Sequence, residues 1–267
     1  MNKVRLDLYL VEHNYVPSRS KASEMIKNNK VFVNNKLVNK PSFEVDDIDI
    51  ISISENDILK YVSRGGLKLE KAINEFSLNL DGLTILDIGA STGGFTDCAL
   101  QNNAKKVYAL DVGNNQLHES LLNNDKVINL ENTNFKDINK DLVNEKIDLY
   151  VCDVSFISIM QILKKLKEFD ENFSIVILFK PQFEVGKNNL NKNGVAKNPN
   201  VIIKALNEFA YNLKLMNIGI INATFSPIKG HKEGNIEYLF YLKNNEKGKQ
   251  FDFEKIVNES YKVLKVK

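Results

Sequence analysis

Cysteine, histidine and arginine are all scarce in this chain of 267 residues. The two cysteines, Cys98 and Cys152, fall in stretches that read as buried and form no C-x-x-C pair, which excludes a disulfide framework. With only three histidines there is no ligand set of metal-site spacing, so no metal is expected and a reduced, cytoplasmic protein is. Long apolar runs are missing as well. Ile175 to Phe179 is typical of what there is, against the roughly 20 residues that span a bilayer. Lys3, Arg5, Asp7 and Glu12 interrupt the first turns, where a secretory segment would be apolar, so neither export nor a membrane partner is expected.

What is present is the composition of a globular protein, 43% hydrophobic and 26% charged, in a chain long enough for one large domain or a large and a small one. The net charge of +2 hides an uneven distribution. Residues 1–40 carry eight basic and three acidic side chains, residues 41–60 one and six, so the positive charge collects at the front of a small N-terminal region. That is the footprint of a surface facing phosphates. Arginine occurs at Arg5, Arg19 and Arg64 among 36 basic side chains; where lysine is the default cation, an arginine marks a position that needs a planar fork.

The stretch from Leu83 to Phe95 reads as a buried strand, Leu83–Leu86, running into a glycine turn that opens a helix. Asp87 then stands at the strand's carboxyl end, the edge where open α/β sheets bind ligands. Gly89, Gly93 and Gly94 follow a D-x-G-x-x-x-G-G spacing, which matches neither the dinucleotide fingerprint nor the P-loop. The next strand, Val107–Leu110, ends at Asp111, 18 residues past Gly93, where a carboxylate accepts from ribose hydroxyls. Acids at 87, 111 and 153 without a phosphate-binding lysine favour a cationic nucleoside, S-adenosylmethionine, over NAD or ATP.

Along the chain, two short helices (Arg5–Glu12, and one capped by Ser18), a hairpin over 30–38 turning at Asn34-Asn35 and a strand at 48–53 make a basic module over residues 1–54. A mixed linker, 55–62, leads to a third helix whose apolar stripe is Leu69, Ala72, Ile73 and Phe76, with Lys68 off the stripe. Strand–helix alternation over 63–267 implies a parallel sheet covered on both faces, closed by two strands at 218–225 and 236–242 that pair antiparallel, and by a helix over 251–266. Asp153 and Lys180 end two further strands on the edge of Asp87, and Glu237 sits inside the last strand pattern. A lysine that closes an apolar strand is poorly placed for solvation, which disfavours its ammonium.

The N-terminal module resembles the S4 RNA-binding domain, through R-L-D-L-Y-L-V from Arg5, S-R-S-K-A-S-E-M-I-K from Ser18, K-V-F-V-N from Lys30 and V-N-K-P from Val38. The resemblance implies RNA contacts at Arg5, Arg19, Lys21 and Lys40, to which Arg64 is added as the arginine of the Ser63–Gly66 turn. Lys68, Asp153, Lys180 and Glu237 resemble the K-D-K-E tetrad of FtsJ-like RNA 2′-O-methyltransferases. The segments Tyr61–Lys68, Leu86–Asp97, Val107–Gly113, Asp153–Ser158, Lys180–Gly186 and Gly234–Glu237 resemble the TlyA family, first called haemolysin A. This implies a Rossmann-like, mostly parallel seven-stranded methyltransferase sheet with an antiparallel last strand, behind an α+β S4 domain. It implies a cofactor site of Asp87, Gly89, Ala90, Ser91, Gly93, Gly94, Phe95, Asp111, Val112 and Asp153, a catalytic tetrad in which Lys180 takes or orients the hydroxyl proton, and ribosomal RNA as partner of a monomeric enzyme. Asn198, where the family has Asp before proline, and His231-Lys232-Glu233 depart from the pattern. A non-catalytic ribosome-assembly factor is the alternative; a cytolysin is disfavoured for want of a spanning segment.

Overall fold

The structure, a computed structural model, describes residues 3–13, 15–16, 18–34, 36–46, 48–53, 60–230 and 234–265. Its contacts group the chain into two units, Met1–Lys60 and Tyr61–Lys267.

In the first unit, β1 (Val4–Arg5) leads into α1 (Leu6–Glu12), and α2 (Arg19–Lys27) follows, started by the Ser18 hydroxyl accepting from the Lys21 backbone N–H at 3.3 Å. β2 (Val31–Val33) pairs antiparallel with β3 (Lys36–Val38) and, on its other side, with β5 (Ile51–Ile53), while β4 (Glu44–Val45) returns to pair with β1. Leu6, Leu10, Ala22, Ile26 and Val31 are fully enclosed between these elements. The expected strand at 48–53 begins only at Ile51, because the Asp49 carboxylate accepts from Asn34 Nδ2 at 2.6 Å and from the Asp46 backbone N–H at 3.0 Å and holds a turn there. Of the expected linker, residues 55–59 lie outside the described residues, as does Asn35 of the hairpin turn.

In the second unit, α3 (Gly65–Phe76) precedes β6 (Thr84–Ile88), α4 (Gly94–Gln101), β7 (Lys106–Leu110), α5 (Glu119–Leu122), β8 (Val127–Leu130), β9 (Leu149–Cys152), α6 (Ile159–Phe169), β10 (Ser174–Phe179), α7 (Pro181–Glu184), α8 (Pro199–Leu215), β11 (Ile218–Phe225), β12 (Tyr238–Asn244) and α9 (Phe253–Val263). The sheet order is β11-β12-β10-β9-β6-β7-β8, with β12 antiparallel to both its neighbours and the pairs from β10 to β8 parallel. Alternation along the strands divides the core in two. Ile85, Val107, Val151, Val176 and Leu178 pack toward α3 and α4. Leu86, Ile88, Tyr150, Ile175 and Ile177 pack on the other face, toward α6, α8 and α9. α8 has no counterpart among the expected elements. Asn198, the departure from the family's Asp, is its N-cap, accepting from the Asn200 backbone N–H at 3.0 Å ahead of Pro199, and Asn serves there as well as Asp.

Phe179 of β10, Phe209 of α8, Phe240 of β12 and Phe253 of α9 form one aromatic cluster with ring centroids 5.0 to 6.2 Å apart. It locks β12 against β10, with Tyr238 opposite Phe179, and so fixes the chain on either side of positions 180 and 237. Replacing Phe240 by Ala removes the ring that three others share and is expected to cost about 3–5 kcal/mol. Denaturant unfolding followed by far-UV circular dichroism measures it.

Candidate active site

β6 ends in the glycine turn, and the turn is built by backbone bonds to the neighbouring strand: the Gly89 and Ala90 N–H groups both donate to the Leu110 carbonyl, at 2.8 and 3.0 Å. Gly89 has φ +85°, and a Cβ there would lie 2.9 Å from the Asp153 carbonyl oxygen, so glycine is required on both counts. Ser91, with φ +50°, donates its N–H to Asp111 Oδ2 at 2.8 Å, and Gly113 N–H donates to Oδ1 at 2.7 Å. The end of β7 is thereby tied to the turn after β6. Asp87 is fully buried; Thr96 Oγ1 donates to its Oδ2 at 2.7 Å, while Oδ1 has no hydrogen-bond partner. Burial, partly opposed by Thr96, pushes this carboxyl up to about 7. A buried acid with an orphaned oxygen beside a second acid fits a cationic ligand that carries hydroxyl donors; it does not fit a polyphosphate. Gly93 and Gly94 close the turn where α4 starts. Val112 is exposed beside Asp111, whereas the Phe95 side chain points into the core with Leu69 and Ile85.

Lys68 in the first turn of α3, Asp153 after β9, Lys180 after β10 and Glu237 before β12 meet at this same edge. Asp153 lies between the two lysines, with Oδ2 accepting from Lys68 Nζ at 3.0 Å and Oδ1 2.6 Å from Lys180 Nζ. Glu237 Oε2 is 2.7 Å from Lys68 Nζ. Lys180 Nζ also donates to Ser155 Oγ at 2.9 Å. Lys68, off the predicted apolar stripe, is buried all the same, because the ring of elements around it supplies two carboxylates. Burial alone would lower its pKa, but the charges of Asp153 and Glu237 and their hydrogen bonds outweigh it and raise it above the ordinary lysine value. Asp153 is likewise opposed by burial and won over by Lys68 and Lys180, which hold it below the usual carboxylate range. Glu237 stands one residue before β12 rather than within it, and a Cβ on Gly230 would lie 2.6 Å from its Oε1, so the absence of a side chain there makes room for the carboxylate. His231, Lys232 and Glu233 lie outside the described residues.

Two neighbours of this site lie in the Asp153–Ser158 segment of the resemblance but were not among the expected site residues. Ser155 is one, and a serine after a strand end looks like any helix cap. The other is Phe156, 91% exposed with φ +66°, its ring 5.3 Å from that of Phe183. A bulky residue in the left-handed region is held there at a cost of about 1–3 kcal/mol.

The basic positions of the first unit are arranged differently from one another. Arg5 and Arg19 both bind the carboxylate of Asp7, Lys21 pairs with Glu24 at 3.2 Å, and Lys40 is exposed. Arg64, in the second unit, is exposed at the start of α3. Among the described residues no cluster of three or more His, Cys, Asp or Glu has metal-binding geometry, and no helix is long and apolar enough to cross a membrane.

Comparison with known proteins matches residues 61–244 to the FtsJ-like methyltransferase family and residues 4–51 to the S4 domain. A Campylobacter jejuni protein named 23S rRNA (cytidine-2′-O)-methyltransferase TlyA is 41% identical over 85% of this chain and 95% of its own length. The chain belongs to the TlyA family of FtsJ-like methyltransferases. A Mycobacterium tuberculosis member, named a 16S/23S rRNA (cytidine-2′-O)-methyltransferase, is 35% identical over 90% of each chain. Among solved structures, that of a candidate hemolysin from Streptococcus thermophilus superposes with a TM-score of 0.77 at 34% identity, covering 98% of this chain and 97% of that one. As a TlyA-family member the chain carries an α/β methyltransferase fold behind an S4 domain.

Removing Asp153 leaves Lys180 and Lys68 facing each other with one carboxylate short. Asp153→Asn is expected to destabilise by roughly 3 kcal/mol at pH 7, the scale of a broken buried pair. Because the folded pKa of Asp153 is depressed, its contribution is present above the unfolded value of 3.8 and lost as pH falls through the folded one. Thermal melts at pH 7 and pH 3 should show the gap between wild type and variant shrink at the lower pH.

Proposed function

We propose that this protein transfers a methyl group from S-adenosylmethionine to the ribose 2′-hydroxyl of a cytidine in ribosomal RNA, of the small subunit, the large subunit or both. The observation that carries the reading is the meeting of Lys68, Asp153, Lys180 and Glu237 beside the Asp87–Asp111 turn, all from one chain. The four residues come from a single chain, so a monomer would suffice for the site. The names of the TlyA relatives supply the substrate class.

Asp87, Asp111 and the backbone of Gly89 to Gly94, with Val112 beside them, would hold the cofactor, which when bound supplies an electrophilic methyl on a cationic sulfur. The orphaned Oδ1 of Asp87 would accept from its ammonium and Asp111 from its ribose hydroxyls. The work of the chain is then alignment: oxygen and methyl held about 3–3.5 Å apart and in line. Lys180, braced by Asp153 and Ser155 on two sides, has its remaining side for the 2′-oxygen; it orients the hydroxyl and accepts the proton as the bond to carbon forms. Lys180 enters that step as the neutral amine, its lone pair taking the hydroxyl proton, which then passes to solvent. Glu237 holds Lys68, and Lys68 holds Asp153. Phe156 and Phe183 offer a π-face to a base unstacked from the RNA, and the basic first unit, through Arg5, Arg19 and Lys40, and Arg64 in the second unit would contact its phosphates.

Labelled methyl transfer to purified small and large ribosomal subunits lacking the modification tests the reading, with label expected on ribose 2′-O. Lys180→Met should lower kcat by roughly 10²–10⁴, the scale of a lost general base. Full activity of that variant would remove Lys180 from the mechanism. Binding of S-adenosylmethionine to wild type should tighten as pH rises through about 7, where Asp87 ionises, because the charged carboxylate is the better acceptor for a cation. Calorimetry on Asp87→Asn should show weaker binding that no longer depends on pH in this range.

A further inference from the structure

The N-terminal unit hides one acid inside its basic face. Asp7, on α1, is 2% exposed, although it is no part of the apolar core to which its neighbours Leu6, Tyr9 and Leu10 belong. Both of its oxygens are taken by arginine. Arg5 Nε donates to Oδ1 and Arg5 Nη2 to Oδ2, each at 2.9 Å, a bidentate fork, and Arg19 Nε on α2 donates to Oδ2 at 3.0 Å. The side chains of Arg5 and Arg19 remain 43% and 56% exposed. Asp7 itself is held down to about 2 by these guanidiniums, so it stays charged wherever the protein functions.

These bonds use two of the five N–H donors of Arg5 and one of those of Arg19; the rest are left for another acceptor. The two arginines of this unit, Arg5 at the end of β1 and Arg19 at the start of α2, are thus drawn to a single point and lose the freedom to splay apart. With Asp7 counted, the trio has a net charge of +1, the complement of one phosphodiester. The two non-bridging oxygens of a phosphodiester can accept from the N–H donors that Asp7 leaves free on both guanidiniums.

We infer that Asp7 is a positioning residue that sets Arg5 and Arg19 as a two-armed clamp on one RNA phosphate. The inference rests on the reading of the first unit as RNA-binding. It predicts an effect opposite in sign to simple charge. Removing a negative charge from an RNA-facing surface should by itself tighten binding; a clamp that has lost its brace should bind more weakly.

Full-length protein is titrated against unmodified ribosomal subunits over a range of KCl concentrations, with S-adenosylmethionine affinity as the control that the second unit is intact. Asp7→Asn is expected to weaken subunit binding about fivefold or more and to lower the slope of log K against log salt by about one, the value of one phosphate contact. Binding by Asp7→Asn as tight as wild type or tighter, with an unchanged or steeper slope, overturns the inference. Should Asp7→Asn not fold, the cycle of Arg5→Ala, Arg19→Ala and the double variant decides: a shared phosphate requires the double variant to lose little more than the worse single one, and fully additive losses refute the clamp. Failure of wild type to bind subunits in a salt-dependent way would instead refute the RNA-binding reading on which the clamp depends.

Discussion

Asp153 sits between two lysines in a place largely closed to water, and the burial of both depends on it. A buried ammonium is costly alone, and two side by side are worse. One carboxylate between Lys68 and Lys180, with Glu237 on the far side of Lys68, turns an impossible set of charges into a neutral one. The arrangement makes each member depend on the others. It also concentrates polar groups where a parallel sheet leaves its strand ends open, and an α/β fold has such an opening only at that edge.

The rest of the second unit supports that neutrality by geometry. Parallel β9 and β10 carry Asp153 and Lys180 to one level because their registers keep Tyr150 opposite Ile175 and Cys152 opposite Ile177. Glu237 arrives from the other direction. β12 is antiparallel, so its first residue, Tyr238, lies opposite the last residue of β10, and the residue before it falls at the edge of Asp153 and Lys180. The aromatic cluster of Phe179, Phe209, Phe240 and Phe253 holds that register in place. An antiparallel last strand is therefore what lets a residue upstream of a strand join residues downstream of others.

Sequence pattern exposed the parts of this that repeat. Strand ends with an acid or a lysine, the glycine turn and the strand–helix alternation are local, and Asp87, Asp111, Asp153 and Lys180 could be placed on one edge from them. What stayed hidden is non-local. Helical periodicity puts Lys68 outside the apolar stripe, and only the arrival of Asp153 and Glu237 from far along the chain makes it an interior residue. Asp7 carries no signal of burial in the sequence; one of the two arginines that satisfy it, Arg19, stands twelve residues on. The strand predicted at 48–53 loses its first half to the carboxylate of Asp49, a side-chain bond to Asn34 that no alternation pattern records. α8 escaped because its signals, Asn198 and Pro199, were read as a departure from a motif and not as a cap.

The two units share one electrostatic device and differ in which cation it holds. In each, a buried acid with a depressed pKa stands between two basic side chains: Asp7 between Arg5 and Arg19, Asp153 between Lys68 and Lys180. Arginine keeps its proton at any pH a protein meets, so the first trio is a fixed charge with a fixed shape, suited to gripping a phosphate that itself never titrates. Lysine has a proton to lose, and how readily it does so depends on its neighbours. A lysine braced by an acid suits the proposed step, in which a hydroxyl must give its proton up. Exchanging the two kinds of cation would keep the same net charges, yet the first trio would lose its planar forks and the second set would hold cations that keep their protons. The choice of arginine at two positions in a lysine-rich chain is on this argument a functional one, made where shape and permanent charge matter, and lysine was kept where they would be a hindrance.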